Sequence, residues 1–261
     1  MTDTAASATL DRILGRCGRL GDEESGSTAE STGRPGPGQA CAFPTGHVAG
    51  AGRLSSAVKA LHPRSLVSRL ARALGFVPRD GRQFLLEMLP RHAVCAEIGV
   101  HTGDFSKRIL QTTSPRELHL IDPWRHETSD AYRRALYGGE ARGGQAEMDE
   151  RYRSVCTRFQ SDIRSGRVRI HRGDSNAVLA EFPEDYFDWA YIDGNHRYEF
   201  VTADLALCVE KVKPGGYIAG DDYTDRGWWQ EDIVRAVDEF VATTPVRVIL
   251  KRNRQYLLQR A

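Results

Sequence analysis

The stretch VCAEIGVHTGDF, residues 94–105, decides how the rest of the chain is read. A short apolar run ends at Gly99, Gly103 follows four residues on, and a helical pattern begins at Phe105–Leu110. A strand that passes through a glycine turn into a helix opens a parallel α/β sheet, and ligands of such sheets bind outside the carboxyl ends of the strands. Glycine lets the backbone turn tightly and come close to a ligand. The spacing here is GxxxG with Val100 and His101 inside it, so the GxGxxG dinucleotide fingerprint is absent. From this segment alone an ordinary strand-to-helix loop remains the plainer alternative.

Downstream the alternation continues. Apolar runs at Leu118–Ile121, Val168–His171, Phe187–Ile192 and Tyr217–Ala219 are separated by helical patterns at Glu147–Ile163, Tyr198–Val212 and Trp228–Val241. This predicts a mostly parallel sheet with helices on both faces. Val246–Lys251 and Gln255–Gln259 are strand-like and separated only by Arg252-Asn253-Arg254, so the chain ends in an antiparallel hairpin. The segment 123–150 has two Gly-Gly pairs and no period, which reads as a loop inserted over the top of the sheet.

Upstream the composition changes. Residues 1–52 mix Gly, Ser, Thr and Pro with almost no aliphatic period and are expected to be disordered, apart from a short helix at Ala8–Leu20. Residues 53–92 form a helical lead-in. Leu66, Leu70, Ala73, Leu74 and Val77 fall at helical spacing, and a second helix is expected over Asp80–Leu89 with Phe84, Leu85, Met88 and Leu89 apolar. Between residues 53 and 90 seven basic residues face two acids, either a basic amphipathic surface or arginines left in water beside a packed stripe.

The 261 residues carry 36 basic and 35 acidic side chains, which excludes a strongly basic nucleic-acid binder on bulk charge. No apolar run approaches the roughly 18 residues of a membrane span, and the first residues do not look like a secretory signal. Cys17, Cys41, Cys95, Cys156 and Cys208 form no CxxC pair and read as reduced thiols of a soluble cytoplasmic protein.

The strand ends carry the polar residues. Asp122 closes the second strand about twenty residues after the glycine turn, where an acid accepts ribose hydroxyls of NAD, FAD or an adenosyl cofactor alike. Asp174 and Ser175 close the third strand, within reach of an adenine edge. Asp193 ends the fourth strand and Asp221-Asp222 the fifth, so these carboxylates should converge. Their mutual repulsion favours a cation among them, and an all-oxygen set suits Mg²⁺, Mn²⁺ or Ca²⁺. A turn role for Asp193 and a capping role for Asp221 are the alternative.

In this order the motifs resemble the class I S-adenosylmethionine-dependent methyltransferases, over about residues 93–261. EIGVHTGDFS is similar to their first motif, IDPW to their ribose-binding acid, and KPGGYIAGDDY to the turn into their fifth strand. IDGNHRYEFVTADL followed by PGGYIAGDDY is similar to the metal-dependent small-molecule O-methyltransferases of the macrocin and novobiocin type. The resemblance implies a Rossmann-like, seven-stranded, mostly parallel sheet with a terminal antiparallel hairpin. It also implies that Glu97, Gly99, Val100, Gly103, Asp122, Asp174, Ser175 and Asp193 bind S-adenosylmethionine. Asp193, Asp221 and Asp222 would ligate a divalent metal such as Mg²⁺. Methyl transfer also needs a base: His196 is a candidate because an ordinary histidine titrates near neutrality, with a structural role capping the following helix as the alternative, and Asp193 could share the base role. Asn195-His196 and Gly227-Trp228-Trp229 depart from the antibiotic-sugar enzymes; of the two tryptophans, one would wall the acceptor pocket and one would be core.

The implied function is methyl transfer to a hydroxyl of a small sugar or catechol-like acceptor, with no nucleic-acid partner, no membrane span, and homo-oligomerisation left open. The alternatives are a metal-independent methyltransferase with a histidine base, a nicotinamide-dependent oxidoreductase, a cephalosporin hydroxylase-like oxidative enzyme, and a binding protein without catalysis. The absence of an Asn/Asp-Pro-Pro-aromatic motif after the fourth strand disfavours a DNA or RNA amino-methyltransferase.

Overall fold

The computed structural model describes residues 81–261; the expectations for the arm 1–52, the helix Ala8–Leu20 and the stripe Leu66–Val77 lie outside the described residues. The chain enters through α1 (Gly81–Met88), then β1 (Val94–Ile98), α2 (Asp104–Thr113) and β2 (Glu117–Asp122). The insertion carries one short turn of helix, Asp130–Tyr132, and runs into α3 (Gly144–Arg158) and α4 (Gln160–Arg164). Next come β3 (Val168–Arg172), α5 (Ser175–Ala180), β4 (Phe187–Ile192), α6 (Tyr198–Lys211) and β5 (Val212–Gly220). The chain closes with α7 (Asp232–Thr243), β6 (Val246–Arg252) and β7 (Gln255–Arg260).

The seven strands lie in the order β3-β2-β1-β4-β5-β7-β6. The first five are parallel, and β7 is inserted antiparallel between β5 and β6. Asn253 and Arg254, both at positive φ, make the two-residue turn of the β6–β7 hairpin, whose twist suits that conformation. The expected Rossmann-like sheet with its terminal hairpin is therefore what the chain forms.

Side-chain alternation along the strands divides the core into two layers. Leu118, Leu120, Trp189 and Tyr191 pack on one face with Leu85 and Leu86 of α1 and Ile109 of α2. Ile98, Ile121, Ala190 and Ile192 pack on the other with Leu205 and Cys208 of α6 and Val237 of α7. The central strands β1, β2 and β4 are buried on both faces, which is why they read as continuous apolar runs.

Several boundaries differ from expectation. In α1 the buried residues are Leu85 and Leu86, with Leu89 just beyond, while Met88 is exposed, because the helix turns that position to solvent. The helix expected over Glu147–Ile163 is broken at Phe159, whose ring is buried against Gly103. α7 starts at Asp232 rather than Trp228, since Gln230 adopts positive φ and bridges back to Gly227. The short α5 carried too few residues to show a period. Cys95 and Cys208 are free and buried. Among the described residues no helix is long and apolar enough to cross a membrane.

Asp204 of α6 is a charge-bearing group inside the second layer. It is 1% exposed, and the Ser175 hydroxyl is the polar side chain that offsets part of its burial. Burial raises its carboxyl to about 7. The folded state thus holds this proton more tightly than the unfolded chain, so stability is lost as pH rises from the ordinary carboxylate range to about 7, and the loss is constant above that. Asp204→Asn is expected to stabilise the protein at pH 8, by roughly 4 kcal/mol at most, and to make no difference near pH 4. Denaturant unfolding at the two pH values checks this; an effect independent of pH would contradict it.

Candidate active site

The strand tips are tied in register. Gly99 N–H donates to the Ile121 carbonyl at 2.9 Å, Asp193 N–H to Ile98 at 2.7 Å, and Asp221 N–H to Ile192 at 3.1 Å. These bonds align Gly99, Asp122, Asp193 and Asp221 along the carboxyl edge of β2, β1, β4 and β5. Gly99 lies at φ 87°, and a Cβ there would come within 2.0 Å of the Asp193 carbonyl oxygen, so no larger residue fits. His101, Trp124 and Asp222 also adopt positive φ around this edge, a cluster of strained backbone of the kind held at functional sites.

A cavity of about 480 Å³ opens over the edge. Of the residues assigned above to the cofactor, Glu97, Gly99, Val100, Asp122, Asp174, Ser175 and Asp193 line it. Gly103 does not: it starts α2 at φ 76°, and a Cβ there would meet the Phe159 ring at 2.8 Å, so its role is to seat Phe159.

Glu97 is buried, and burial raises its carboxyl well above the usual range. Its Oε2 has no hydrogen-bond partner among the described residues. An unmatched buried acceptor on a cavity wall suits a cationic donor such as an α-ammonium group. Asp122 is buried too. Oδ2 accepts from Val100 N–H at 2.8 Å, His101 N–H at 3.0 Å and the Tyr137 hydroxyl, and Oδ1 accepts from Trp124 N–H at 2.7 Å. Burial still outweighs these bonds and raises its carboxyl. Tyr137 comes from the insertion, so the loop over the sheet reaches the acid assigned to ribose. At the far end Asp174 pairs with Arg125 at 2.8 Å, and Asn176, which the sequence did not single out, offers a buried, unpartnered Oδ1.

The acidic corner is arranged differently from expectation. Asp193, His196 and Asp222 each present a ligand atom within 4.8 Å of the others, a donor set that fits a divalent ion. Asp221 is outside this group: Arg82 and Gln255 hold its carboxylate, which also accepts from Asp222 N–H at 2.7 Å. His196 Nε2 is 3.2 Å from Asp222 Oδ2 and 3.7 Å from Asp193 Oδ1. Burial alone would lower its pKa, but the two carboxylates outweigh burial and raise it to about 9. Trp229 is core, its indole N–H donating to Thr224 O at 3.2 Å. Trp228 stands half-buried on the wall, ring to ring with Tyr132 and His196, and Asn195 donates to the Tyr132 hydroxyl at 2.9 Å.

Residues 96–223, which contain every strand tip described above, match the family described as methyltransferase domain. This part of the chain is a methyltransferase domain. The motif resemblance to class I methyltransferases agrees with it. The domain is also similar in fold to the O-methyltransferase NovP, at 21% identity over 69% of this chain and 79% of that one, TM-score 0.48. To the N-methyltransferase NodS of Bradyrhizobium japonicum the values are 15%, 70%, 94% and 0.42. In sequence, 55 residues are 42% identical to the uncharacterized protein R132 of Acanthamoeba polyphaga mimivirus. That match spans 21% of this chain and 24% of the relative. The methyltransferase match begins at residue 96, so Arg82 lies upstream of it.

Proposed function

We propose that the chain transfers a methyl group from S-adenosylmethionine to a hydroxyl of a small vicinal-diol sugar or catechol-like acceptor. The observation that carries this reading is the pairing, on one cavity, of a buried Glu97, whose Oε2 is unpartnered, with an acidic, aromatic corner at Asp193, His196, Asp222 and Trp228. The cofactor brings an already activated methyl group, so the protein's work is alignment and removal of one proton. Glu97 would take the methionine ammonium, and Asp122 a ribose hydroxyl in competition with Tyr137. Asp174, Ser175 and Asn176 would meet the adenine.

Trp228, Tyr132 and Leu136, the last 56% exposed, would offer the acceptor a flat apolar wall. With a pKa near 9, His196 carries a proton at neutral pH and is not itself a base in this state. The proton acceptor is then Asp193 Oδ1, and His196 orients the carboxylates on either side of it. A divalent ion at Asp193, His196 and Asp222 would displace the His196 proton and supply Lewis acidity that lowers the pKa of an acceptor hydroxyl.

A metal-independent version has its own support, because Arg82, Arg254 and His196 already match the charges of Asp193, Asp221 and Asp222. Incubation with methyl-labelled S-adenosylmethionine and a panel of catechols and vicinal-diol sugars, with EDTA or with Mg²⁺, separates the two. Label should appear in an acceptor as an ether, and chelation should abolish it if the metal acts. Label transferred only to amines, or to nothing while the cofactor binds, would contradict a hydroxyl acceptor.

A further inference from the structure

Arg82 is the second residue of α1 and the one cation that the lead-in helix sends into the acidic corner among the described residues. Its guanidinium spans two strand tips: Nη1 lies 3.1 Å from Asp193 Oδ2, and Nη2 pairs with Asp221 Oδ2. Phe105 of α2 supports it from below, with the guanidinium carbon 5.4 Å from the ring centre. The other half of the corner is served separately, since Asp222 pairs with Arg254 from the β6–β7 turn and with His196. The guanidinium of Arg82 therefore stands between the carboxylates that adjacent strands bring together.

We propose that Arg82 is a built-in counter-cation that competes with a divalent ion for Asp193 and Asp221. The inference rests on the metal-assisted reading of the site and specifies what regulates it. A guanidinium and a divalent ion repel each other, and they cannot share the same carboxylate oxygens. An arginine stays protonated at any physiological pH, so the competition is relieved by movement rather than by titration. The movement required is small. Arg82 sits in the first turn of α1, whereas the helix is anchored by Leu85 and Leu86 and, just past its end, Leu89, so rotation of one side chain frees the site and leaves the core packed. With Arg82 in place, Asp193 offers only Oδ1, beside His196 and Asp222; with Arg82 withdrawn, Asp193 Oδ2 and the Asp221 carboxylate become available as well. The lead-in helix would in this way set how tightly the methyltransferase domain holds its ion.

The test is Mn²⁺ binding to the full chain, followed by electron paramagnetic resonance, for the wild type, Arg82→Gln, and Arg82→Gln combined with Asp221→Asn. Arg82→Gln should bind Mn²⁺ at least about tenfold more tightly at one site, and the added Asp221→Asn should remove the gain. Thermal unfolding in EDTA should show Arg82→Gln destabilised relative to the wild type and restored by Mn²⁺, which also establishes that the variant folds. If that variant does not fold, Arg82→Lys, which keeps the charge but cannot bridge both carboxylates, should show a smaller gain in affinity. Equal or weaker Mn²⁺ binding by Arg82→Gln overturns the competition while leaving the metal site standing. No Mn²⁺ binding by any variant, with folding intact, overturns both.

Discussion

Asp122→Ala should abolish measurable binding of S-adenosylhomocysteine, a loss of at least about 100-fold in affinity. The size follows from two roles held by one buried side chain. The carboxylate is the candidate acceptor for a ribose hydroxyl, and it also fastens the Val100 and His101 amides of the glycine turn and the Trp124 amide. Truncation leaves these buried donors unsatisfied, at about 1–3 kcal/mol each where water cannot reach them. The glycine turn then loses the conformation that brings its backbone to the cavity. Tyr137→Phe separates the roles, because it removes only the hydroxyl that competes for Oδ2. That variant should bind at least as tightly as the wild type. Calorimetric titration of both, with melting curves to confirm folding, is the check; retained binding by Asp122→Ala would remove Asp122 from the cofactor site.

Asp193→Asn is expected to lower kcat by at least about 100-fold, the lower end of what a positioned proton acceptor contributes. The substitution keeps the shape of the side chain and the backbone bond to Ile98 that holds the strand tip. It removes the negative charge shared by Arg82 on one side and His196 on the other. Affinity for S-adenosylhomocysteine should change little, since Glu97 and Asp122 remain. A variant with normal kcat but weakened cofactor binding would make Asp193 a cofactor residue only.

Much of this site could be read from the sequence because the sheet is parallel. Each strand in such a sheet delivers its last residue to the same edge, so the ends of short apolar runs identified Gly99, Asp122, Asp174 and Asp193 without any knowledge of pairing. The remainder depended on long-range folding. Arg82 reaches the corner only because α1 packs its leucines beside α2 and β7, in the layer that holds Ile109 and Leu257. Tyr137 belongs to a segment without a period, and nothing local announces that its hydroxyl returns to Asp122. Asp221 and Asp222 are adjacent and chemically alike, yet Arg82 and Gln255 claim the first, leaving the second beside His196. The expectation of three carboxylates needing a cation counted the acids correctly but could not count the arginines that fold brings to them.

The cavity at the carboxyl edge should accept an adenosyl amino-acid cofactor. Titration of S-adenosylhomocysteine and, separately, of NAD into the wild-type chain tests it most directly. One molecule of S-adenosylhomocysteine should bind per chain, with NAD failing to bind or to displace it. Binding of NAD alone would contradict methyl transfer and return the cavity to nicotinamide chemistry.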